Sequence, residues 1–139
     1  MVYSIAQILR KYNFLNVQAI PRARIPIVKF SSRSLSASAD ISINNFLPLY
    51  NSDLLSLYSQ SDERVRKLLF MIKYWIKKRK IGDSYLGTMH SYAYCLMVIH
   101  YCQSRGLAPN LQDLDDLKFE DYQRISQDGI IYNCTYLNP

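Results

Sequence analysis

The sequence of 139 residues predicts an α+β fold, in which a small sheet is followed by a set of helices. Residues 37–44 alternate apolar and polar side chains, which is typical of a strand with one buried face and one open face. After Asn45 the apolar residues recur three and four positions apart, which is typical of amphipathic helices. This change of period predicts two domains, residues 1–46 and residues 47–139.

The N-terminal domain is predicted to place one helix against a sheet of short strands. The helix, Tyr3 to Lys11, has apolar residues at helical spacing, and the first strand is Val17 to Ile20. The second strand is Ile25 to Phe30, and Pro26 within it predicts a sheet edge or a bulge because proline has no amide hydrogen to donate. The third strand is the alternating segment, whose pattern places Asp40 at the centre of the open face.

The second domain is predicted to consist of three helices and a less regular C-terminal segment. The helices are Asn51 to Gln60, a helix from an Asp62 N-cap to about Arg79, and a helix from Ser91 to Ser104 that is apolar on most sides and therefore buried. Gly87 and Thr88 introduce the last of these helices. Leu111 to Ile125 has moderate helical character, and Ile130 to Tyr132 is weakly strand-like.

The composition indicates a globular protein with a basic surface. Apolar residues make up 49% of the chain, and the net charge of +6 favours a polyanionic partner, although many soluble domains carry such a charge without one. Three cysteines without a C-x-x-C pair argue against a disulfide framework or zinc knuckle, so we expect an intracellular compartment, whether cytoplasmic, nuclear or mitochondrial. The longest apolar stretch, about residues 93–102, is too short to cross a bilayer, so no membrane association is expected.

A carboxylate and two lysines are the first candidates for chemistry. A strand would hold Asp40 rigidly, as a metal ligand requires, yet a lone aspartate at such a position is more often an ordinary surface residue. Lys73 and Lys77 lie four residues apart, so they share one helix face and would suit a triphosphate. Cations near the end of a helix also complement its dipole, which is the alternative for these lysines.

The start of the third helix offers a second group of candidates. Amide groups and the hydroxyl of Ser91 at a helix N-terminus can bind anions, and Tyr92 could stack on a base. A glycine turn followed by hydroxyl capping is the alternative. Asn51 is similarly open to two interpretations, because it could cap the helix that follows it or reach a ribose hydroxyl.

The order and spacing of these residues resemble a known enzyme family. The segments Ala23 to Phe30 and Asp40 to Asn45 resemble the third-aspartate region of terminal uridylyltransferases and poly(A) polymerases, within the polymerase-β-like nucleotidyltransferase superfamily. The resemblance covers roughly residues 5–115. It continues through Asn51, Leu54, Leu55, Tyr58, Asp62, Arg64, residues 73–77, Ile81, Gly87, Thr88, Ser91, Tyr92, Tyr94, Leu96, Met97 and residues 109–112.

The resemblance implies a fold and a role for each candidate. It implies the end of a catalytic palm sheet, followed by an incomplete helical central domain like the PAP-associated domain. Asp40 would be the third catalytic carboxylate and a ligand of Mg²⁺ or Mn²⁺ in a two-metal site. The nucleotide-binding residues would be Asn51 for the ribose, Lys73, Lys77 and Ser91 for the triphosphate, and Tyr92 for the base. The implied partners are UTP or ATP and an RNA 3′ end, and the oligomeric state stays open.

Two departures from the family pattern limit these expectations. The glycine-serine motif and paired D-x-D aspartates of the family do not precede Asp40, and Asp113-x-Asp115 is no substitute because it follows Asp40 without a Gly-Ser turn. The later segment that reads the base is also missing, so we expect a chain truncated at both ends and inactive alone. The alternative function is a non-catalytic basic module, derived from such an enzyme, that binds RNA or a protein.

Overall fold

The computed structural model describes residues 1–83, 86–113, 115, 124–127 and 129–137. The chain divides into two compact units, Met1–Phe46 and Leu47–Pro139. The first unit contains α1 (Val2–Lys11), β1 (Leu15–Ile20), β2 (Ile27–Ser32) and β3 (Ala37–Ser42). The second contains α2 (Leu47–Ser61), α3 (Glu63–Arg79), α4 (Ser91–Ser104), β4 (Arg124–Gln127) and β5 (Ile130–Asn133). Helices and small antiparallel sheets thus confirm the predicted α+β class.

In the first unit, helix α1 packs on an antiparallel sheet with the strand order β1-β2-β3. The core contains Ala6 and Leu9 of the helix together with Val28 of the central strand, all of them buried. Phe14 and Phe30 add an edge-to-face contact with their ring centroids 5.1 Å apart. The predicted helix on a small sheet is therefore confirmed.

The pairing of β2 with β3 determines which residues face the core. Val28 pairs with Ile41 and Lys29 pairs with Asp40. Because successive side chains of a strand point to opposite faces, these two pairs lie on opposite faces of the sheet. Val28 lies in the core cluster and the partly buried Ile41 packs against it, so Lys29 and Asp40 lie on the open face. The face predicted for Asp40 from alternation is confirmed.

The prediction that Pro26 marks a sheet edge or a bulge was wrong. Strand β2 is the central strand, and it begins at Ile27, directly after the proline. Pro26 therefore removes no hydrogen bond from the ladder, since it stands outside the paired residues. The irregular register lies instead in β1, between Leu15 and Gln18, where Asn16 has a φ of 53°.

In the second unit, α2, α3 and α4 share one hydrophobic core. Helix α3 begins after an Asp62 N-cap, as predicted. The Asp62 carboxylate accepts a hydrogen bond of 2.7 Å from the Arg64 amide. Helix α4 has the predicted bounds, but it is not buried on most sides, since Met97 and Tyr101 are exposed. None of the helices in the described part of the chain is long and apolar enough to span a bilayer. The buried residues of the core are Leu54, Tyr58, Val65, Leu69, Cys95, Ile99, Cys102 and Leu111.

Helix α2 starts four residues earlier than predicted, at Leu47 instead of Asn51. Pro48 is accommodated because the first turn of a helix does not need every amide hydrogen. Asn51 consequently lies inside the helix and does not cap it, which excludes the capping alternative for this residue.

The buried side chain of Tyr58 ties α2 to the segment after α4. Its hydroxyl oxygen accepts hydrogen bonds from the Leu111 amide at 3.2 Å and from the Gln103 side-chain amide at 3.0 Å. Burial raises the pKa of the Tyr58 phenol above its usual value, so the group stays neutral. Tyr58 therefore contributes both packing and the hydrogen bond that a buried backbone amide requires.

The helical character predicted for Leu111 to Ile125 was wrong where the structure describes this segment. Leu111 and Gln112 form a turn, and Arg124 begins strand β4. Ile125 pairs with Tyr132 in the antiparallel ladder with β5, and this pairing prevails over a moderate local helical preference. The weak strand predicted around Ile130 is confirmed, and residues 114 and 116–123 lie outside the described residues.

Candidate functional site

A cleft of about 590 Å³ opens where helix α3 ends and helix α4 begins. Its polar lining includes the side chains of Lys73, Lys77 and Lys80, with Ser91 from the start of α4. Asp83 also contributes, so the described lining holds three lysines and one aspartate. An excess of positive charge beside the N-terminus of a helix is suited to an anionic ligand.

The helical spacing explains why two of these lysines act together. Lys73 and Lys77 are one turn apart on α3, so their side chains lie on the same face. Ser91 is the first residue of α4, and the first amides of a helix lack the partners that the later amides have. The structure thus brings three of the predicted nucleotide-binding residues into one cleft, within a single compact unit.

The end of α3 forms one wall of the cleft through a Schellman motif. The Ile81 amide donates to the Ile76 carbonyl at 3.2 Å, and the Lys80 amide donates to the Lys77 carbonyl at 3.4 Å. Lys80 adopts the left-handed conformation that this motif requires, with a φ of 56°. Gly82 follows, and a Cβ atom at this position would clash with Cγ2 of Ile76. Only glycine fits there without a shift of the wall.

Hydroxyl groups hold the segment between α3 and α4. The Thr88 hydroxyl accepts from the Asp83 amide at 2.9 Å and donates to the Asp83 carbonyl at 2.8 Å. The Tyr94 hydroxyl donates to the Ile81 carbonyl at 3.3 Å. These bonds fix both ends of the segment, so the start of α4 keeps its place beside the lysines.

Tyr92 and Asn51 do not line the cleft, among the residues that the structure describes. Tyr92 follows Ser91 on a helix, so its side chain is rotated by about 100° away from that of Ser91. Burial raises the pKa of the Tyr92 phenol, and the neighbouring Cys134 and Cys95 add smaller effects in the same direction. Asn51 is half-buried on α2. The roles of Tyr92 and Asn51 stay predictions.

The first unit presents Asp40 by itself on the open face of its sheet. Its Oδ2 atom lies 3.9 Å from Nζ of Lys29, and 52% of its side chain is exposed. The described residues contain no cluster of three histidine, cysteine, aspartate or glutamate side chains that could hold a metal ion. Asp40 is therefore a rigidly held carboxylate that could complete a metal site but does not form one alone.

Comparison with known proteins relates these features to one family. The family model for the central palm domain of mitochondrial-like poly(A) RNA polymerases matches residues 2–60. Caffeine-induced protein 16 of Schizosaccharomyces pombe is 41% identical over 121 residues, which cover 86% of this chain and 10% of that protein. Terminal uridylyltransferase 7 of Homo sapiens is 40% identical over 131 residues, which cover 92% of this chain and 9% of that protein.

Solved structures agree with the sequence relatives. The crystal structure of mtPAP in complex with UTP has a TM-score of 0.76 at 26% identity, covering 98% of this chain and 30% of that one. The Cid1 poly(U) polymerase with Mg and 3′-dATP bound has a TM-score of 0.74 at 33% identity, covering 96% and 42%. The chain belongs to the terminal uridylyltransferase and poly(A) polymerase family. It spans about a tenth of the length of the two sequence relatives.

For this member of the terminal uridylyltransferase and poly(A) polymerase family, the sequence alone predicted only some of the residues that line the cleft. Lys80 and Gly82 are not among the nucleotide-binding residues predicted from the sequence. The available signal was a glycine two residues after a lysine-rich helix end, which is a common sign of a tight C-terminal turn. The spacing did not reveal that Lys80 and Gly82 line the same cleft as Ser91.

Proposed function

We propose that this chain supplies the triphosphate-binding side of an enzyme that adds UMP or AMP to RNA 3′ ends. In this proposal residues 1–46 are the C-terminal part of the catalytic palm and residues 47–139 are an incomplete helical central domain. The place of action would be inside the cell, which is supported by three cysteines that are buried and unpaired.

The observation that carries the proposal is the cleft shared by Lys73, Lys77 and Ser91. The family resemblance assigns these three residues to the triphosphate independently of their positions in the fold. Two ammonium groups on one helix face can offset part of the negative charge of a triphosphate, and the helix start supplies amide and hydroxyl donors. Members whose structures resemble this one were solved with UTP, CTP or 3′-dATP, which supports a nucleoside triphosphate as the ligand.

The proposed chemistry depends on positioning and on neutralising charge. The RNA 3′ oxygen would attack the α-phosphate and pyrophosphate would leave, with Lys73 and Lys77 holding the negative charge of the leaving group. Asp40 would be one of the carboxylates that hold Mg²⁺ or Mn²⁺. Because the described residues do not complete a metal site, the remaining carboxylates would have to come from outside the described part of the chain.

Calorimetric titration of the 139-residue chain with UTP, ATP and uridine tests this proposal. Both triphosphates are expected to bind weakly and uridine not at all, with affinity falling as salt rises. The double variant Lys73→Ala, Lys77→Ala should bind at least about tenfold more weakly, since each charge-assisted contact contributes about 1.5 kcal/mol or more. The matched control is Lys78→Ala, Arg79→Ala, which removes two exposed cations that do not line the cleft. An equal loss in the control variant would contradict a specific site.

A second experiment tests whether the chain is inactive alone. The purified chain is incubated with a short RNA, each nucleoside triphosphate, and either Mg²⁺ or Mn²⁺. No extension is expected, because a single carboxylate cannot hold two metal ions. Tail addition by this chain would show that the inactivity proposed here is wrong.

The alternative function is a non-catalytic module that binds RNA. One observation favours it: α3 exposes Tyr74 and Trp75, and the Lys78 ammonium lies 5.4 Å from the centre of the Tyr74 ring. Exposed aromatic and basic side chains together can stack on bases and contact phosphates. Salt-dependent binding of RNA without any affinity for triphosphates would support this alternative against the first proposal.

A further inference from the structure

Lys80 has an unusual combination of backbone conformation and position. It is one of five non-glycine residues with positive φ in the described part of the chain, and three of the others are asparagines. Asparagine tolerates this region better than other side chains, and glycine is the usual residue at this position of a Schellman motif. A lysine here is therefore less favourable for folding than the residue types that commonly occupy the position.

The position of the Lys80 side chain offers a reason why a lysine is present despite this unfavourable backbone conformation. It lines the same cleft as Lys73 and Lys77, whereas the adjacent Lys78 and Arg79 do not. Lys80 belongs to the left-handed turn that ends α3, whereas Lys73 and Lys77 belong to the helix itself. An unfavourable backbone conformation that places a charged group in a cleft is a recognised sign of function.

Accordingly, we infer that Lys80 is a third cation for the polyphosphate part of the ligand. This inference rests on the proposed function and extends it. Lys73 and Lys77 line the site from one face of α3, and Lys80 adds a third positive charge to the same lining. The chemistry recognised is a chain of linked phosphates, which either a nucleoside triphosphate or released pyrophosphate would supply.

The variant Lys80→Gly separates a role in binding from a role in folding. Glycine relieves the positive φ, so the melting temperature should stay unchanged or rise by about 2–5 °C. Affinity for tripolyphosphate should nevertheless fall by about three- to tenfold, as expected for one partly solvated charge contact. The variant Lys80→Arg keeps the charge and should bind within about twofold of the original chain.

Calorimetric titrations with sodium tripolyphosphate and with sodium pyrophosphate measure these changes, and Lys78→Ala is the control. A loss in the tripolyphosphate titration alone assigns Lys80 to the incoming triphosphate, and a loss in both titrations assigns it to the product as well. If Lys80→Gly binds both like the original chain while the Lys73→Ala, Lys77→Ala variant does not, the inference about Lys80 is wrong and the proposed site stands. If the original chain binds neither compound, the proposed function fails with it.

Discussion

The two units of this protein present their candidate residues in different ways. In the first unit, Asp40 stands on an open sheet face, and its direction follows from strand alternation alone. In the second unit, the cleft depends on a helix end, a glycine without room for a Cβ atom, and hydroxyl groups that hold the connecting segment. We therefore expect that Asp40 can be changed without disturbing the fold, whereas the wall of the cleft depends on residues, such as Gly82, that also maintain the packing.

The largest effect is expected for Asp40→Ala in a longer protein that contains this chain together with paired catalytic aspartates. Nucleotide addition to RNA should fall by about 10²–10³-fold or more, the scale seen when one charge-stabilising group is removed from an active site. Ser42→Ala is the matched control, since Ser42 is two residues further along the same strand, on the same face, and exposed. Retained addition by the Asp40→Ala enzyme would remove this residue from the mechanism.

A large effect on stability is expected in the helical unit from Tyr58→Phe. The buried Leu111 amide would lose its acceptor, which costs about 1–3 kcal/mol of unfolding free energy. Gln103 also donates to the Pro109 carbonyl, so its amide keeps one partner. Urea unfolding measures the change, and Tyr101→Phe on the exposed side of α4 is the control. Equal stability of both variants would show that the Tyr58 hydroxyl does not support the core.

Features set by local patterns were predicted well from the sequence. The alternation of residues 37–44 determined the face of Asp40, and Asp62 with the apolar spacing after it determined the start of α3. The start of α2 was missed because Pro48 resembles a helix breaker until its place in the first turn is known. Strand β4 was missed although its pairing with β5 lies within residues 124–133, because the Asp128-Gly129 pair between the two strands in the sequence, a common hairpin signal, was not used.

The residues of the candidate site divide in the same way, into those that sequence patterns predict and those whose position depends on the folded structure. Lys73 and Lys77 share a face by simple spacing, and the family resemblance added Ser91 from another helix. Lys80 could not be assigned, since its side chain reaches the cleft only through a left-handed turn. The role of Gly82 could not be assigned either, because it depends on contact with Ile76, six residues earlier in the chain.

A smaller effect is expected for Gly82→Ala, which tests whether the cleft wall is as tight as the structure indicates. The added methyl group would meet Cγ2 of the buried Ile76, and the resulting repacking should cost about 1–2 kcal/mol of unfolding free energy. Gly106→Ala is a useful comparison because an added Cβ atom would meet no atom within 4 Å, although its φ of 66° makes alanine unfavourable by about 1 kcal/mol. Thermal unfolding followed by circular dichroism measures the loss of stability in each variant.

Only the Gly82 variant should also weaken the binding of tripolyphosphate, because Gly82 lines the cleft whereas Gly106 follows the end of α4. A Gly82→Ala protein with unchanged stability and unchanged binding would mean that the wall can shift freely. In that case the cleft would not depend on close packing at Gly82, and it would resemble the open sheet face of the first unit in this respect.

The smallest effect is expected for the folding role of Asp40 itself. Its partner Lys29 lies 3.9 Å away and both side chains are about half exposed, so Asp40→Asn should change the unfolding free energy by no more than about 0.5 kcal/mol. Lys29→Ala serves as the control, because it removes the same ion pair from the other side and should have an equally small effect. A loss above about 1 kcal/mol in Asp40→Asn alone would mean that the carboxylate supports the sheet. Near-zero changes in both variants, together with a large loss of activity in Asp40→Ala, would mean that this strand holds a carboxylate that folding does not need.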